Sequence, residues 1–597
     1  MNRSTLARRY LPLALVVAVQ ALIIAVVPAT GPNSSSLTST GGPVTGYSTG
    51  GTGGASGSSA GGATAGAGSG AAGVSVAGGL AGGGVGGSAG GSGSAAIGSG
   101  SGSSAAGGGP SASSTAHCVA GREFSPGLDF YAPPCTPGIP GATQSNAGST
   151  YQGVTATRIT VVDYVSNYGA ETNTVLQAQG KYESLADAQA LDTAFQNFIN
   201  KNYVLWGRKL QIITYAGKCA SSPPNYPCLL AEMDSIVSQY KPYAVLWETT
   251  LCSACFARLA QDHTVDIGGV GFSDAFSNAN APFYYSAGES ATRIEDYFAS
   301  FWCRQLTSVG SSRKASFAGT KNPAQDFNGR PRVLGVISSN DPDNENTVTN
   351  VLEPALQKDC GDRVYHTYFY SQDINTAAQQ VEAGISAMDT PTNPATDVLC
   401  LCGPVAAAFI YEGESSNNYW PENLLADVQG LSSDSTSQSY MSGLACPQKN
   451  SCAYDDAFGL SDLYPEPAAA ALAGSKVFQA GGGTSLPVSA DFTTTVWENY
   501  NMLASLIENT GPDLTPSRMQ AAAPSLGVRG GGASGLPEVG FAPGDYNWTQ
   551  DAEVAYWDKA RTSSYNGAAG TMVPVEGTRF TGSFPSLNEP PIPTNRP

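Results

Sequence analysis

Arg158-Ile159-Thr160-Val161-Val162-Asp163-Tyr164-Val165 is a run of β-branched and apolar residues that ends in the polar turn Ser166-Asn167-Tyr168-Gly169. Its length and composition predict a strand buried on both faces. Working outward, residues 186–200 carry Ala190, Leu191, Ala194, Phe195 and Phe198 at helical spacing, which predicts an amphipathic helix. Residues 209–215 predict a second strand closed by a Gly217-Lys218-Cys219 loop. Residues 229–239 predict a helix with Leu230, Met233, Ile236 and Val237 on one face. Strand 243–247, helix 253–262 and strand 265–270 continue the series. This alternation gives a parallel sheet with helices on both faces.

The pattern restarts after residue 290. Helix 292–306, strand 332–338, the polar turn Asn340-Asp341-Pro342-Asp343, helix 346–358, strand 363–370, helix 375–388 and strand 397–401 predict a second doubly wound unit. Such sheets take ligands at the carboxyl ends of their strands, where strand order reverses. Two units with those ends facing each other enclose a cleft.

Of 597 residues, 29 are Lys or Arg and 47 are Asp or Glu, a net charge of −18. Nucleic-acid binding needs clustered basic residues to displace counterions, so this balance argues against it. It also disfavours docking on anionic lipid. No charged residue lies between Arg9 and Arg122. Arg3, Arg8 and Arg9 precede an apolar run over 11–27 and the small-residue stretch Val27-Pro28-Ala29. Residues 1–29 therefore read as a signal peptide or an uncleaved membrane anchor, and the Arg8-Arg9 pair hints at twin-arginine export. Residues 30–117, almost all Gly, Ser, Ala and Thr, bury too little to offset their ordering entropy and read as a disordered tether. Gly57-Ser58-Ser59-Ala60-Gly61 lies inside this tract, with no strand before it, so its match to a nucleophile elbow is chance. A Cys/Pro-rich lead-in at 118–152 and a Pro-rich tail at 583–597 flank the globular part.

All twelve Cys follow residue 117, and an even number after an export signal reads as disulfides. Spacing suggests Cys118 with Cys135, Cys219 with Cys228 and Cys446 with Cys452, while Cys303 with Cys360 would clip two helices together. Cys252-Ser253-Ala254-Cys255 and Cys400-Leu401-Cys402 remain. They read as disulfides, with a redox-active pair or a four-thiolate zinc site as the sharper alternatives. Catalysis is poorly served. The only histidines are His117, His263 and His366, and no zincin, Walker or strand-borne nucleophile motif occurs. Gly530, Gly532 and Gly535 match a dinucleotide-loop spacing, but Leu536-Pro537 follows in place of a helix.

Several pieces in order resemble the type I periplasmic binding proteins, in the branch of the leucine/isoleucine/valine receptors. They are Gly153-Val154-Thr155 before the first strand, Ala257-Arg258-Leu259-Ala260-Gln261-Asp262-His263 before the fourth, and Phe283-Tyr284-Tyr285-Ser286-Ala287-Gly288 at a first crossing. Arg330-Pro331-Arg332-Val333-Leu334-Gly335-Val336-Ile337 resembles the second lobe's opening strand. Asp491-Phe492-Thr493-Thr494-Thr495-Val496-Trp497 resembles a late helix, and Gly570-Thr571-Met572-Val573-Pro574-Val575-Glu576-Gly577 the closing strand. The resemblance implies two lobes joined by a three-crossing hinge, lobe I from 153–288 plus 443–540 and lobe II from 289–442 plus 541–582. It also implies reversible capture of a small molecule for an ABC permease, outside the cytoplasmic membrane, with no cofactor and no covalent chemistry. A surface receptor or adhesion module that kept the fold and lost the ligand is the alternative.

The matched positions supply candidate ligand contacts. Ser166 opens the turn after the first strand; Thr249 and Thr250 follow the third strand, where the family places hydroxyls that hold a ligand carboxylate, and Ser273 follows the fourth in a comparable role. Ser339, Asp341 and Asp343 face the cleft from the second lobe. Trp247 stacks on a flat ligand or belongs to the core, and Tyr285 is either cleft wall or packing. Ser, Thr and Asp at helix starts also serve as N-caps. The stretch 340–343 lacks the aromatic platform of the amino-acid binders, and its acidity favours a cationic or polyhydroxylated ligand. Asp434 is the candidate partner for an ammonium group.

Overall fold

The computed structural model describes residues 115–585 except 143, 223, 248–251, 269–270, 308–313, 317, 319–326, 374–375, 428–431, 442–451 and 464–465. Thr249, Thr250, Cys446, the leader, nearly all of the tether and most of the tail lie outside the described residues.

The first lobe is β1 (Arg158–Tyr168), α1 (Ala170–Ala178), α2 (Leu185–Asn202), β2 (Lys209–Ser222), α3 (Tyr226–Tyr240), β3 (Ala244–Trp247), α4 (Ser253–Gln261), β4 (Val265–Gly268), α5 (Asp274–Ala279) and β5 (Tyr284–Tyr285). Its sheet runs β2-β1-β3-β4-β5, all parallel. The two-residue alternation of β1 divides its side chains between two cores. Ile159 and Val161 pack with α2 residues Phe195 and Phe198, while Val162 and Tyr164 pack with Met233 of α3 and Phe256 of α4. Ser184 and Asp187 form a capping box that fixes where α2 begins. The lead-in belongs to this lobe: Phe124 packs edge-on to Phe198, with ring centroids 5.0 Å apart.

The second lobe begins with α6 (Ala291–Phe301). It continues through β6 (Leu334–Ser339), α7 (Pro342–Thr347), α8 (Glu353–Cys360), β7 (His366–Tyr370), α9 (Ala377–Met388), β8 (Asp397–Leu401), α10 (Pro404–Asn417), β9 (Glu422–Asp427), α11 (Asp434–Ser439) and β10 (Phe458–Ser461). The chain then returns to the first lobe for α12 (Ala473–Ala480), α13 (Ala490–Thr510) and α14 (Pro516–Ala522). It closes the second sheet with β11 (Glu553–Thr562) and β12 (Ala569–Pro574). The larger sheet runs β12-β11-β10-β9-β8-β6-β7. It is mixed rather than purely parallel, because β11 and β12 enter antiparallel on its edge.

Two expectations are corrected here. β10 pairs with β9 and β11 in the second sheet, so the second crossing follows Ser461 rather than residue 442. A four-residue strand carries too little pattern to place a boundary. β1 also runs through the expected turn to Tyr168, and β2 through the expected loop to Ser222, paired as Asn167 with Ala220 and Tyr168 with Ser222. Glu232 pins this extension: it accepts hydrogen bonds from the Tyr164 and Tyr215 hydroxyls (2.8 and 3.0 Å) and from the Lys218 and Cys219 N–H groups (2.8 and 3.1 Å).

The crossings lie together. The Ser286 N–H donates to the Tyr546 carbonyl at 3.0 Å, and the Trp548 N–H donates to the Ser286 carbonyl at 2.9 Å. The Arg579 guanidinium, after β12, reaches the Leu463 carbonyl and the Asp551 carboxylate, both at 2.8 Å, and so ties the second crossing to the third.

Cys118–Cys135 and Cys219–Cys228 are bonded as short-range pairs, and Cys303–Cys360 joins the segment after α6 to the end of α8. Cys252–Cys255 and Cys400–Cys402 each close on themselves. Their thiols are thereby withdrawn from a shared metal site, as are those of Cys118 and Cys135 beside His117. No helix among the described residues is long and apolar enough to cross a membrane.

Candidate functional site

The strand extensions matter because they carry side chains to the space between the lobes. A cleft of about 380 Å³ lies there. Tyr168 and Ser221 enter it from the ends of β1 and β2, and Leu176 from α1. The second lobe contributes Tyr368 and Tyr370 of β7, Ile385 of α9 and Phe409 of α10. Trp548 closes it at the third crossing. These apolar and aromatic walls suit the body of an organic ligand.

The polar groups come chiefly from α13 and the second crossing. Asp491, Thr494, Thr495 and Glu498 follow the three- and four-residue spacing of one helix face, and all line the cleft. The opposite face of α13 puts Trp497 and Tyr500 into the core. The chain after β10 adds Asp462 and Glu466. Lys181 is the one basic side chain among the described lining residues, against the carboxylates of Asp373, Asp462, Glu466, Asp491 and Glu498. Burial pushes the Glu498 carboxyl up to about 8, with Asp129 adding to the shift. Glu466 is likewise held at about 8 by burial and then by the Asp491 and Asp434 carboxylates, against the opposing pull of Lys181. Asp462 is held well above the usual carboxylate range by burial first and then by Asp427, with Glu498 adding to it. Asp491 is engaged by the hydroxyls of Ser435 and Tyr565.

The candidate contacts drawn from sequence take other places. Trp247 is fully buried, packs against Tyr164 at 4.4 Å between centroids and donates its indole N–H to the Ser166 hydroxyl at 2.8 Å. Tyr285 is fully buried against Phe541 and Tyr546. Ser339 accepts from the Asn344 amide at 2.7 Å. Asp434 is taken up by the Ser563 and Thr571 hydroxyls and the Met572 N–H. None of these lines the cleft.

Ser273, Asp341 and Asp343 are brought together, but with each other. The Asp343 carboxylate accepts the Ser273 N–H at 2.7 Å and its hydroxyl at 2.5 Å. The Asp341 carboxylate accepts the Ser253 hydroxyl at 3.0 Å and its N–H at 3.3 Å, at the start of α4. Helix N-termini favour anions, and here the second lobe supplies them. Ser273, one of the carboxylate-holding positions expected for a ligand, is thus filled by the protein's own Asp343, while Thr249 and Thr250 lie outside the described residues.

Sequence reasoning missed the α13 stripe, although polar residues at helical spacing beside Phe492 and Trp497 are a readable signal. It also missed Tyr168 and Ser221, which depend on where two strands stop. None of the three histidines lines the cleft.

No family model matches the chain, and no curated relative matches it. Among solved structures it is similar to a possible leucine/isoleucine/valine-binding protein from Rhodopirellula baltica, at 12% identity over 70% of this chain and 96% of that one, with a TM-score of 0.47. It is similar to a solute-binding protein of an ABC transporter from R. palustris in complex with 4-hydroxybenzoate, at 10% identity over 72% and 98% of the two chains, TM-score 0.46. It is also similar to a branched-chain amino acid ABC transporter protein from Thermus thermophilus with bound valine, at 10% identity over 74% and 97%, TM-score 0.46.

Proposed function

We propose that this chain is an extracytoplasmic solute-binding protein that captures a small molecule between its two lobes, for delivery to an ABC importer, and performs no covalent chemistry. The observation that carries the reading is the interlobe cleft, walled by aromatic side chains of both lobes and fringed by a few polar ones, beside three crossings tied together by hydrogen bonds, as in a hinge between two lobes. The disulfides fit an oxidising compartment outside the cytoplasm. A receptor or adhesion module is the second reading, and the direct bonding of the lobes through Asp341 and Asp343 favours it.

A thermal-shift panel on the full chain separates the two. It spans amino acids, sugars, polyamines, aromatic acids and aromatic amines. A ligand at 100 times its Kd adds about 2.7 kcal/mol of stability. A shift confined to one chemical class supports capture. A folded sample, free of copurified ligand, that shifts with none favours the receptor.

A further inference from the structure

We propose that the ligand is an organic cation with an apolar body and a net positive charge, its ammonium or guanidinium seated between Asp462 of the second crossing and Glu498 of α13. This rests on the cleft being a capture site.

Three residues that line the cleft each bury an oxygen with no hydrogen-bond partner: Asp462 Oδ1, Asn499 Oδ1 and Ser221 Oγ. Asp462, Asn499 and Ser221 are 6%, 4% and 5% exposed. The Asn499 Nδ2 donates to the Thr495 carbonyl at 3.4 Å, which leaves its oxygen without a donor. A buried acceptor without a donor is costly, so an occupant that brings donors relieves it. The Gln372 Nε2 donor is also unpartnered, so one acceptor on the ligand is accommodated as well.

Charge selects among donors. Among the described residues Glu498 has no ion pair, and Asp129 and Asp462 interact with it through like charge. Arg293 is spent on Glu289 at 2.8 Å and Asp545 at 2.9 Å, and Arg529, which acts on Asp129 from the core side, lies over the Trp548 ring at 5.0 Å from its centroid and donates to the Tyr131 carbonyl. An anionic ligand would meet five carboxyl groups and one ammonium, and the anion positions at Ser253 and Ser273 are already taken. A cation favours the ionised form of the buried acids and gains from it, whereas an anion disfavours that form.

Tyramine, tyrosine and 4-hydroxyphenylacetate share one aromatic body and differ in charge from cation to zwitterion to anion. Hexylamine and hexanoate repeat the contrast on an alkyl body. The proposal expects calorimetric binding of at least one amine at least tenfold tighter than its zwitterionic or anionic counterparts. It also expects a tenfold or larger loss in Glu498→Gln, whose unliganded melting temperature does not fall. Equal or tighter binding of an acid overturns the cation and leaves capture standing. A shift with calcium alone, reversed by chelator, overturns it in favour of a metal. An amine-silent protein that binds another member of the broad panel overturns the cation only; silence throughout overturns capture as well.

Discussion

Asp343, in the first turn of α7, accepts both the backbone N–H and the hydroxyl of Ser273, at the start of α5 in the other lobe. Asp341 does the same for Ser253 at the start of α4. One turn of the second lobe therefore caps two helices of the first and holds the lobes against each other.

Removing this clasp should loosen the closed form. Hydrogen bonds to a charged group contribute roughly 1.5–3 kcal/mol. Asp343→Ala is expected to lower the unfolding free energy by about 1–3 kcal/mol and to raise the radius of gyration in small-angle scattering. Asp343→Asn keeps an acceptor and should do less. Unchanged scattering and stability in both variants would sink the clasp.

Much of the architecture was readable because it rests on local pattern. The run 158–165 could only be a buried strand, and Phe195 with Phe198 could only pack behind it. The site was less readable because it depends on where elements stop and which lobe receives them. Ser273 and Asp343 were recognisable as polar groups at strand ends, yet nothing local says that they bond to each other. Whether Ser166 meets a ligand or the Trp247 indole is a question of packing at a distance of 81 residues in sequence.

Asp266 on β4 is fully buried, and neither carboxyl oxygen has a hydrogen-bond partner. Burial holds its pKa well above the usual range. Leaving such a group unsatisfied costs about 1–3 kcal/mol. Asp266→Val matches its size and removes the penalty. The urea midpoint at pH 8 should rise, with the slope unchanged. A fall would mean that Asp266 has a partner or a role.

Stability should decline as pH rises. Burial pushes the Glu295 and Glu414 carboxyls up to about 8 and Asp192 to about 6. In the unfolded chain these groups lose their protons near 4. Between pH 4 and 8 the folded state therefore binds more protons than the unfolded one, and its stability falls with pH over that window. The melting temperature should be highest near the acid end of the range and lower at pH 8 than at pH 5. A flat or rising profile contradicts the buried neutral carboxyls.

Ligand affinity should move the other way. Free Glu498, held up to about 8 by burial and Asp129, is protonated at neutral pH. An ammonium arriving beside it favours the carboxylate, so binding releases that proton. Tyramine affinity should therefore rise with pH between 6 and 8, by no more than tenfold per unit for a single proton, as linkage requires. The rise should level off above 8 and reverse only as the amine itself titrates, near 10 by analogy with Lys. In Glu498→Gln the slope should flatten toward whatever Asp462 alone supplies, because Asp462 is the other carboxylate facing that end of the cleft. Calorimetry in two buffers of different ionisation enthalpy measures the released proton directly. A proton count of zero at pH 7 in the native protein, with tyramine bound, would place the ammonium somewhere other than Glu498.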